Sequence, residues 1–215
     1  DNFAFASCFN NGEYGIIKYS NNFENNPSYL NFFDDFPYEN FVINDLEIYN
    51  DTLYVATDKG LLKADCNNNF LSFSNEWIAE YVTENIKDIL IDDEDIYMFI
   101  DASVLKNGEV IQNAVDADNV LQTLIFENNL YYLTNEYLYK IDTNNFLSNV
   151  FELPNIFKCI SPCVNEYGFS DVKIVNNNFY FSIYNNGLII TDNMFNVIDN
   201  IIPNSLFKNQ FNSIN

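Results

Sequence analysis

The sequence predicts an all-β protein, a β-propeller of about five four-stranded blades, and three observations lead to this prediction. Stretches that alternate apolar and polar residues recur along the whole chain. Turns rich in Asn and Asp separate these stretches, and helical periodicity is almost absent. A repeat of about 40 to 50 residues made of short strands is typical of a propeller blade. The 215 residues are enough for five such units.

Four segments of the chain align without gaps. Each has an acidic or amide residue three positions before an apolar residue, and a second apolar residue followed by tyrosine further on. The acidic or amide residues are Asp45, Asp88, Gln122 and Asp171. The apolar–tyrosine pairs are Leu53-Tyr54, Ile96-Tyr97, Leu130-Tyr131 and Phe179-Tyr180. Each segment therefore predicts a strand, a polar turn and a second strand, after which a third strand follows at 60–64 and 187–191.

The two ends of the sequence extend the repeat. Residues 3–7 align with 53–57, so the sequence starts at the second strand of a blade, and residues 211–215 align with 41–44, where an innermost strand starts. Two architectures follow: a five-bladed ring closed by the C-terminal segment, or a fragment of a larger propeller. We expect a single propeller domain or partial propeller. Its units lie near 1–40, 41–84, 85–118, 119–165 and 166–215.

Composition excludes several classes of function. The formal net charge is −22, every basic residue is lysine, and histidine is absent. Without histidine the chain lacks the commonest general base, and without arginine it lacks the side chain that binds phosphate through two parallel hydrogen bonds. Its negative charge repels nucleic acid and anionic membranes. No apolar run is long enough for a transmembrane helix, so we expect no membrane insertion. The chain contains 39 asparagines. An AT-rich genome would produce this bias, and turns tolerate asparagine.

The second unit resembles the "two-component regulator propeller" repeat. The resemblance rests on Asp45, on Leu53-Tyr54, and on Thr57-Asp58-Lys59-Gly60-Leu61. The last unit keeps Gly187-Leu188, the third unit lacks the glycine, and Tyr or Phe replaces the usual tryptophan. This repeat is frequent in bacterial surface and sensor proteins, including propellers associated with the Por (type IX) secretion system. The resemblance implies an extracellular, cell-surface or periplasmic binding or scaffolding module, and it supplies no catalytic residue.

Asp45, Asp88 and Asp171, together with Gln122, are the recurrent acids of the predicted inner strands. A ring of carboxylates there could hold Ca²⁺, and glycosidases need two carboxyl groups at a fixed separation. The alternative is that each side chain accepts backbone N–H bonds and shapes its blade. Recurrence favours the structural interpretation, because catalysis needs two distinct carboxylates.

Three other groups of residues are candidates for sites. Asp92, Asp93 and Asp95 form an acidic run that could bind Ca²⁺ but aligns with a hairpin turn, and it lacks the EF-hand glycine. Cys159 and Cys163 could close a disulfide in an oxidising compartment or remain free thiols. Trp77, Tyr131 and Tyr137 could stack on sugars, although most aromatic residues at strand positions belong to the core.

These observations favour a non-catalytic binding or scaffolding module. We expect no required cofactor, and Ca²⁺ is the one candidate for a bound ion. We expect its propeller loops to contact a protein or glycan partner. One alternative is a glycan-active enzyme that uses the carboxylates at a channel mouth. Another is a structural component of a surface filament or secretion complex, in which this chain is part of a larger chain or assembly. Function inferred from fold in this way is analogy.

Overall fold

The computed structural model describes residues 3–10, 13–20, 29–33, 36–37, 39–113, 120–154, 168–184 and 187–202. Within these ranges the regular structure is almost entirely β, in agreement with the predicted all-β class. The helical structure in this part of the chain is a single 3₁₀ turn, Ser74–Glu76. None of it is long and apolar enough to cross a membrane. The chain divides into two compact units, Asp1–Asp118 and Asn119–Asn215.

The first unit contains three antiparallel sheets, each built from strands that are consecutive in the chain. Its strands are β1 (Phe3–Asn10), β2 (Glu13–Ser20), β3 (Tyr29–Phe33), β4 (Ile43–Tyr49), β5 (Thr52–Thr57), β6 (Gly60–Asp65), β7 (Ile78–Glu80), β8 (Ile86–Asp92), β9 (Asp95–Ile100), β10 (Ser103–Lys106) and β11 (Glu109–Asn113). The first sheet is three-stranded, in the order β1-β2-β3. The other two are four-stranded, β4-β5-β6-β7 and β8-β9-β10-β11.

The second unit contains two four-stranded antiparallel sheets. Its strands are β12 (Gln122–Phe126), β13 (Asn129–Leu133), β14 (Tyr137–Ile141), β15 (Leu147–Glu152), β16 (Phe169–Val175), β17 (Asn178–Ile183), β18 (Gly187–Thr191) and β19 (Val197–Ile201). The sheet orders are β12-β13-β14-β15 and β16-β17-β18-β19. Five sheets of consecutive strands are what a propeller of about five blades requires.

Left-handed backbone in the first hairpin of a blade accounts for several of the asparagines. Asn50 and Asp51 have φ of 46° and 59°, and Asn176 and Asn177 have φ of 50° and 63°. Type I′ turns need positive φ at both central residues, and Asn and Asp adopt it more readily than other residues with a side chain. The Asn-rich clusters therefore set the hairpins, whatever the codon bias behind them.

A threonine hydroxyl closes the next turn, between the second and third strands. The Thr57 hydroxyl donates to the Gly60 carbonyl oxygen (2.6 Å) and accepts the Lys59 N–H (3.1 Å). Gly60 itself has φ of 133°, which favours glycine. The Thr134 hydroxyl likewise donates to the carbonyl oxygen of the residue three positions on, Tyr137 (3.2 Å), but it accepts the N–H of Tyr137 itself (3.1 Å). The hydroxyl therefore closes this turn even where the glycine is absent.

The register of β1 differs from the register that the sequence predicts. Asn10 pairs with Glu13 in the β1–β2 hairpin, as Thr57 pairs with Gly60 in the β5–β6 hairpin. Counted from the hairpin ends, residues 6–10 correspond to residues 53–57, so the alignment of residues 3–7 is wrong by three positions. The predicted closing segment, residues 211–215, lies outside the described residues, and the choice between a closed ring and a fragment stays open.

Both faces of the middle sheet of the first unit are covered. Leu53 and Val55 pack with Ile16 of β2 and with Trp77, whereas Ala56 packs with Ile89 of β8. Side chains of adjacent strand residues point to opposite faces, which is why one strand can serve two cores. Face-to-face stacking of sheets thus places the inner strands β4 and β8 side by side.

The second unit packs its two sheets through an aromatic core. Phe179 and Phe181 of β17 lie with their ring centroids 6.1 Å apart, and Phe181 lies 4.9 Å from Phe151 of β15. Tyr131 contributes from β13, with its ring 5.8 Å from that of Phe179. Phe and Tyr in strands are therefore mainly core residues in this unit, as the sequence predicts.

Candidate functional site at the inner strands

The recurrent acid of β4 bridges two sheets. Asp45 accepts the N–H of Leu46 on its own strand through Oδ1 (2.8 Å) and the N–H of Ile89 on β8 through Oδ2 (3.2 Å). Asn44, directly before it, donates from Nδ2 to the carbonyl oxygen of Ile86 (2.7 Å). The two residues together attach the inner strand of one sheet to the inner strand of the next.

The second unit repeats this link with a neutral side chain. Gln122 of β12 accepts the Val172 N–H of β16 through Oε1 (2.7 Å). Asp171 accepts the same N–H through Oδ1 (2.8 Å). Ile89 and Val172 each directly follow the recurrent acid of their own strand, so both units use the same donor position. Because an amide serves in place of a carboxylate, the link requires an acceptor oxygen and no negative charge.

A β-bulge precedes the recurrent acid in three of the four inner strands. The pairing register shifts between Ile43 and Asp45, between Ile86 and Asp88, and between Phe169 and Asp171. A bulge leaves one residue unpaired and redirects the side chains that follow it. Asp45 reaches the neighbouring inner strand from a bulged strand, but Gln122 does so from a strand paired without such a shift, so the link does not require the bulge.

The carboxyl group of Asp45 lies in a poorly solvated position. Burial raises the pKa of Asp45 above its usual value, and hydrogen bonds from the Asp88 side chain and from the Ile89 and Leu46 N–H groups oppose that rise. The pKa of Glu47 is also raised, by burial first and then by the charge of Asp45. Uptake of a proton by Asp45 is therefore easier than for an exposed aspartate.

The structure brings Asp45 and Asp88 together in the first unit, and Gln122 and Asp171 together in the second. Backbone N–H groups occupy both carboxylate oxygens of Asp45. Such an arrangement joins strands, and this is the structural role that the sequence favours for the recurrent acids.

The acidic run of the first unit lies in the β8–β9 hairpin, where Asp92 pairs with Asp95. Asp95 accepts the Lys106 ammonium through Oδ2 (2.6 Å) and the Asn107 amide through Oδ1 (2.9 Å). The ion pair with Lys106 lowers the pKa of Asp95. Within the described ranges, the acidic and cysteine side chains form no group of three or more that could hold a metal ion. Calcium binding at Asp92, Asp93 and Asp95 stays a prediction.

Two of the three aromatic candidates belong to the core. Trp77 is buried beside Phe36, and its indole N–H donates to the Leu71 carbonyl oxygen (2.9 Å). Tyr131 is buried against the aromatic core of the second unit. The burial of these two rings favours packing over stacking on a ligand, and ligand binding at Trp77 and Tyr131 stays a prediction. Tyr137 is half-buried and stays a candidate.

Exposed apolar side chains occur instead in the connections between third and fourth strands. These residues are Phe70, Phe73, Phe146 and Met194. The sequence analysis missed them because an isolated apolar residue in an Asn-rich loop has no periodic signal. Cys159 and Cys163 lie outside the described residues, so their pairing stays a prediction.

Comparisons with known proteins identify the fold. No protein-family model matches the chain, and no curated protein matches it. Solved structures do match. One is the extracellular domain of the putative hybrid two-component system BT4673 from B. thetaiotaomicron. It aligns with a TM-score of 0.58 at 17% identity, over 93% of this chain and 28% of that one.

Two further matches come from other bacteria. PorZ, a surface component of the type-IX secretion system of Porphyromonas gingivalis, aligns at TM-score 0.55 and 14% identity, over 94% of this chain and 25% of PorZ. BamB from Moraxella catarrhalis aligns with a TM-score of 0.53 at 10% identity, over 93% of this chain and 64% of BamB. The chain thus spans a quarter to about two thirds of these proteins. All three are propeller-type structures, and the β-propeller class predicted from the sequence is confirmed.

Proposed function

We propose that this chain is a non-catalytic binding or scaffolding module of a secreted or cell-surface protein. The observation that carries the proposal is the use of the recurrent acids. Asp45, Gln122 and Asp171 direct their oxygens to backbone N–H groups of the inner strands. The most regular polar feature of the sequence thereby joins neighbouring blades within each unit, and the loops of these blades are available for a partner.

The structural neighbours support an extracellular, surface or periplasmic location. BT4673 is represented by an extracellular domain, and PorZ is a bacterial surface component. The chain covers only 28% and 25% of those two proteins. We therefore propose that it works as one part of a larger chain or complex.

The loop between β6 and β7 offers a contact surface for the partner. Phe70 and Phe73 are both exposed, with ring centroids 6.4 Å apart. Exposed aromatic rings on a loop are suited to burial in a protein interface or to stacking on a sugar ring. Asn68 Nδ2 holds this loop by donating to Glu76 (2.7 Å), which keeps the loop in place before binding.

The glycan-active alternative has less support. A retaining mechanism needs two carboxyl groups about 5 Å apart with substrate between them. Asp45 and Asp88 are hydrogen-bonded to each other, and Asp45 is also bonded to two backbone N–H groups. These contacts suit a structural link better than an acid and a nucleophile.

Affinity electrophoresis through gels that contain xylan, pectin or β-glucan tests the proposal, together with an assay for released reducing ends. We expect retardation in at least one gel without release of reducing ends. The double variant Phe70→Ser/Phe73→Ser should lose the retardation, whereas Ile198→Ser, at another exposed position, should keep it. Lack of retardation in every gel would point to a protein partner. Reducing-end release that Asp45→Asn or Asp171→Asn abolishes at unchanged stability would overturn the proposal.

A further inference from the structure

Two carboxyl groups meet at the boundary between the sheets that contain β4 and β8. Asp45 of β4 and Asp88 of β8 are within hydrogen-bonding distance of each other. Asp45 also accepts the N–H of Ile89, the residue directly after Asp88 (3.2 Å). One oxygen of the Asp88 carboxyl group is fully buried. The two acids therefore face each other across neighbouring blades, in a poorly solvated position.

The contact between Asp45 and Asp88 needs a proton. An ionised carboxylate only accepts hydrogen bonds, so a hydrogen bond between two carboxyl groups requires that one of them is protonated. Two carboxylates that share a site repel each other, and burial disfavours the charged form of each. Both effects favour a pair that holds one proton and one negative charge.

The strands around this pair supply little positive charge. β4 packs against β1, β5 and β8. β1 and β5 contain no charged residue, and the one base of β8 is Lys87, at the register shift before Asp88. The influences on the raised pKa values of Asp45 and Glu47 are burial, neighbouring carboxyl groups and N–H groups. The other titratable side chains of these four strands are Cys8, Tyr49, Tyr54 and Asp92.

The second unit provides an internal comparison. Gln122 and Asp171 hold the positions of Asp45 and Asp88 there, and Gln122 accepts the Val172 N–H through Oε1 (2.7 Å). A side-chain amide both donates and accepts hydrogen bonds without gaining or losing a proton. The link in the first unit thus has two titratable groups where the link in the second unit has one.

We propose that Asp45 and Asp88 hold one proton between them above about pH 5, where an exposed aspartate is ionised, and that loss of this proton at higher pH loosens the link between β4 and β8. The protonated group donates its O–H to the other group and so adds a bond between the two sheets. When both groups are ionised, this bond is lost and the two charges repel. The inference goes beyond the proposed function, since it concerns a link between sheets rather than loops, and either can fail without the other.

Carbon-13 NMR of the aspartate carboxyl carbons, recorded on the full chain from about pH 3 to pH 8, tests whether the proton is shared. In wild type, Asp45 and Asp88 should report two apparent pKa values that belong to the pair. The upper value should lie at least about one unit above the value of about 3.9 for an aspartyl peptide. Asp45→Asn should leave Asp88 with a single titration at lower pH, because the asparagine amide can donate to the Asp88 carboxylate at every pH.

Amide exchange at Ile89 tests whether the proton strengthens the link, and Val172 of the second unit is the reference. A group whose folded-state pKa is raised stabilises the folded form at low pH, and this contribution is lost as the pH rises through that pKa. The protection of Ile89 relative to Val172 should therefore fall, about tenfold for each unit by which the upper pKa is raised. In Asp45→Asn this ratio should not change with pH. Both wild-type measurements decide the question even if the variant does not fold.

Three results would overturn the proposal. One is that both apparent pKa values of the pair lie at or below about 4 in wild type. Another is a ratio of Ile89 to Val172 protection that stays constant through the titration, since the proton would then have no effect on the link. The third is loss of the upper titration step on addition of Ca²⁺ and its return with EDTA. That result would mean that a cation, and not a proton, joins the two carboxylates.

Discussion

Substitution of Asp45 by alanine tests the link between adjacent blades. The substitution leaves the N–H groups of Leu46 and Ile89 without their side-chain acceptor, at 2.8 and 3.2 Å in the native protein. A buried donor left without a partner costs about 1–3 kcal/mol. Both hydrogen bonds are only partly buried, and the free-energy cost of burying the Asp45 carboxylate offsets part of the stability that they contribute. We therefore expect a loss of about 2 kcal/mol in the free energy of unfolding, or about 4–8 °C in Tm.

Urea unfolding followed by tryptophan fluorescence is a suitable assay. The protein has one tryptophan, and Trp77 is buried in the same cluster as Leu53 and Val55, which belong to the sheet that carries Asp45. The signal therefore reports on the first unit. Asp45→Asn keeps one acceptor oxygen and should lose less than about 1 kcal/mol.

An exposed aspartate supplies the matched control. Asp199 accepts the N–H of its neighbour Asn200 (2.7 Å) in an exposed strand, so Asp199→Ala should change stability by less than about 0.5 kcal/mol. Equal stabilities of wild type, Asp45→Ala and Asp199→Ala would refute the argument that the recurrent acid joins the blades.

Three other predictions follow from the same contacts. The raised folded-state pKa of Asp45 gives wild type a stability advantage that is present below about pH 4 and is lost as pH rises through that pKa. The stability of wild type minus that of Asp45→Asn should thus fall as the pH rises above about 4, and a constant difference in urea titrations would contradict this. Trp77→Phe removes the bond to the Leu71 carbonyl oxygen and should cost about 1–3 kcal/mol by circular dichroism; unchanged stability would mean that the indole N–H is not buried. Asn50 has φ of 46°, so Asn50→Ala should lower the free energy of unfolding by about 1–2 kcal/mol, whereas Asn50→Gly should be tolerated. Equal melting temperatures of the alanine and glycine variants would rule out the left-handed turn.

The blades are predictable from the sequence because two local signals agree. Period-two alternation marks the strands, and Asn-Asp or Asn-Asn pairs with positive φ mark the hairpins at Asn50 and Asn176. The recurrent acid is visible as well, since it stands at a constant distance from the turn. Its partner is not visible: the Ile89 N–H lies 44 residues away and is a backbone group, which leaves no side-chain signature.

Other features depend on packing that no short pattern encodes. The bulge before Asp45 adds one residue without changing the apolar pattern. The register of β1 is set by the Asn10–Glu13 pair of its hairpin, which the alternating Phe and Ala residues of the strand do not reveal. The burial of Trp77 follows from its contact with Phe36, from a different part of the chain. Lone aromatic residues near loops are for this reason ambiguous from sequence. The recurrence of Asp45, Asp88 and Asp171 favours a structural role, and the contacts of Asp45 with two backbone N–H groups support that interpretation.

Amide hydrogen exchange at Ile89 and Val172 is the most direct test of the claim that the recurrent side chains join neighbouring blades. Both N–H groups should be protected in wild type. Asp45→Ala should accelerate exchange at Ile89 and not at Val172. Gln122→Ala should accelerate exchange at Val172 and not at Ile89, less strongly because Asp171 also accepts the Val172 N–H. Exchange rates that are fast in wild type, or that neither substitution changes, would contradict the claim.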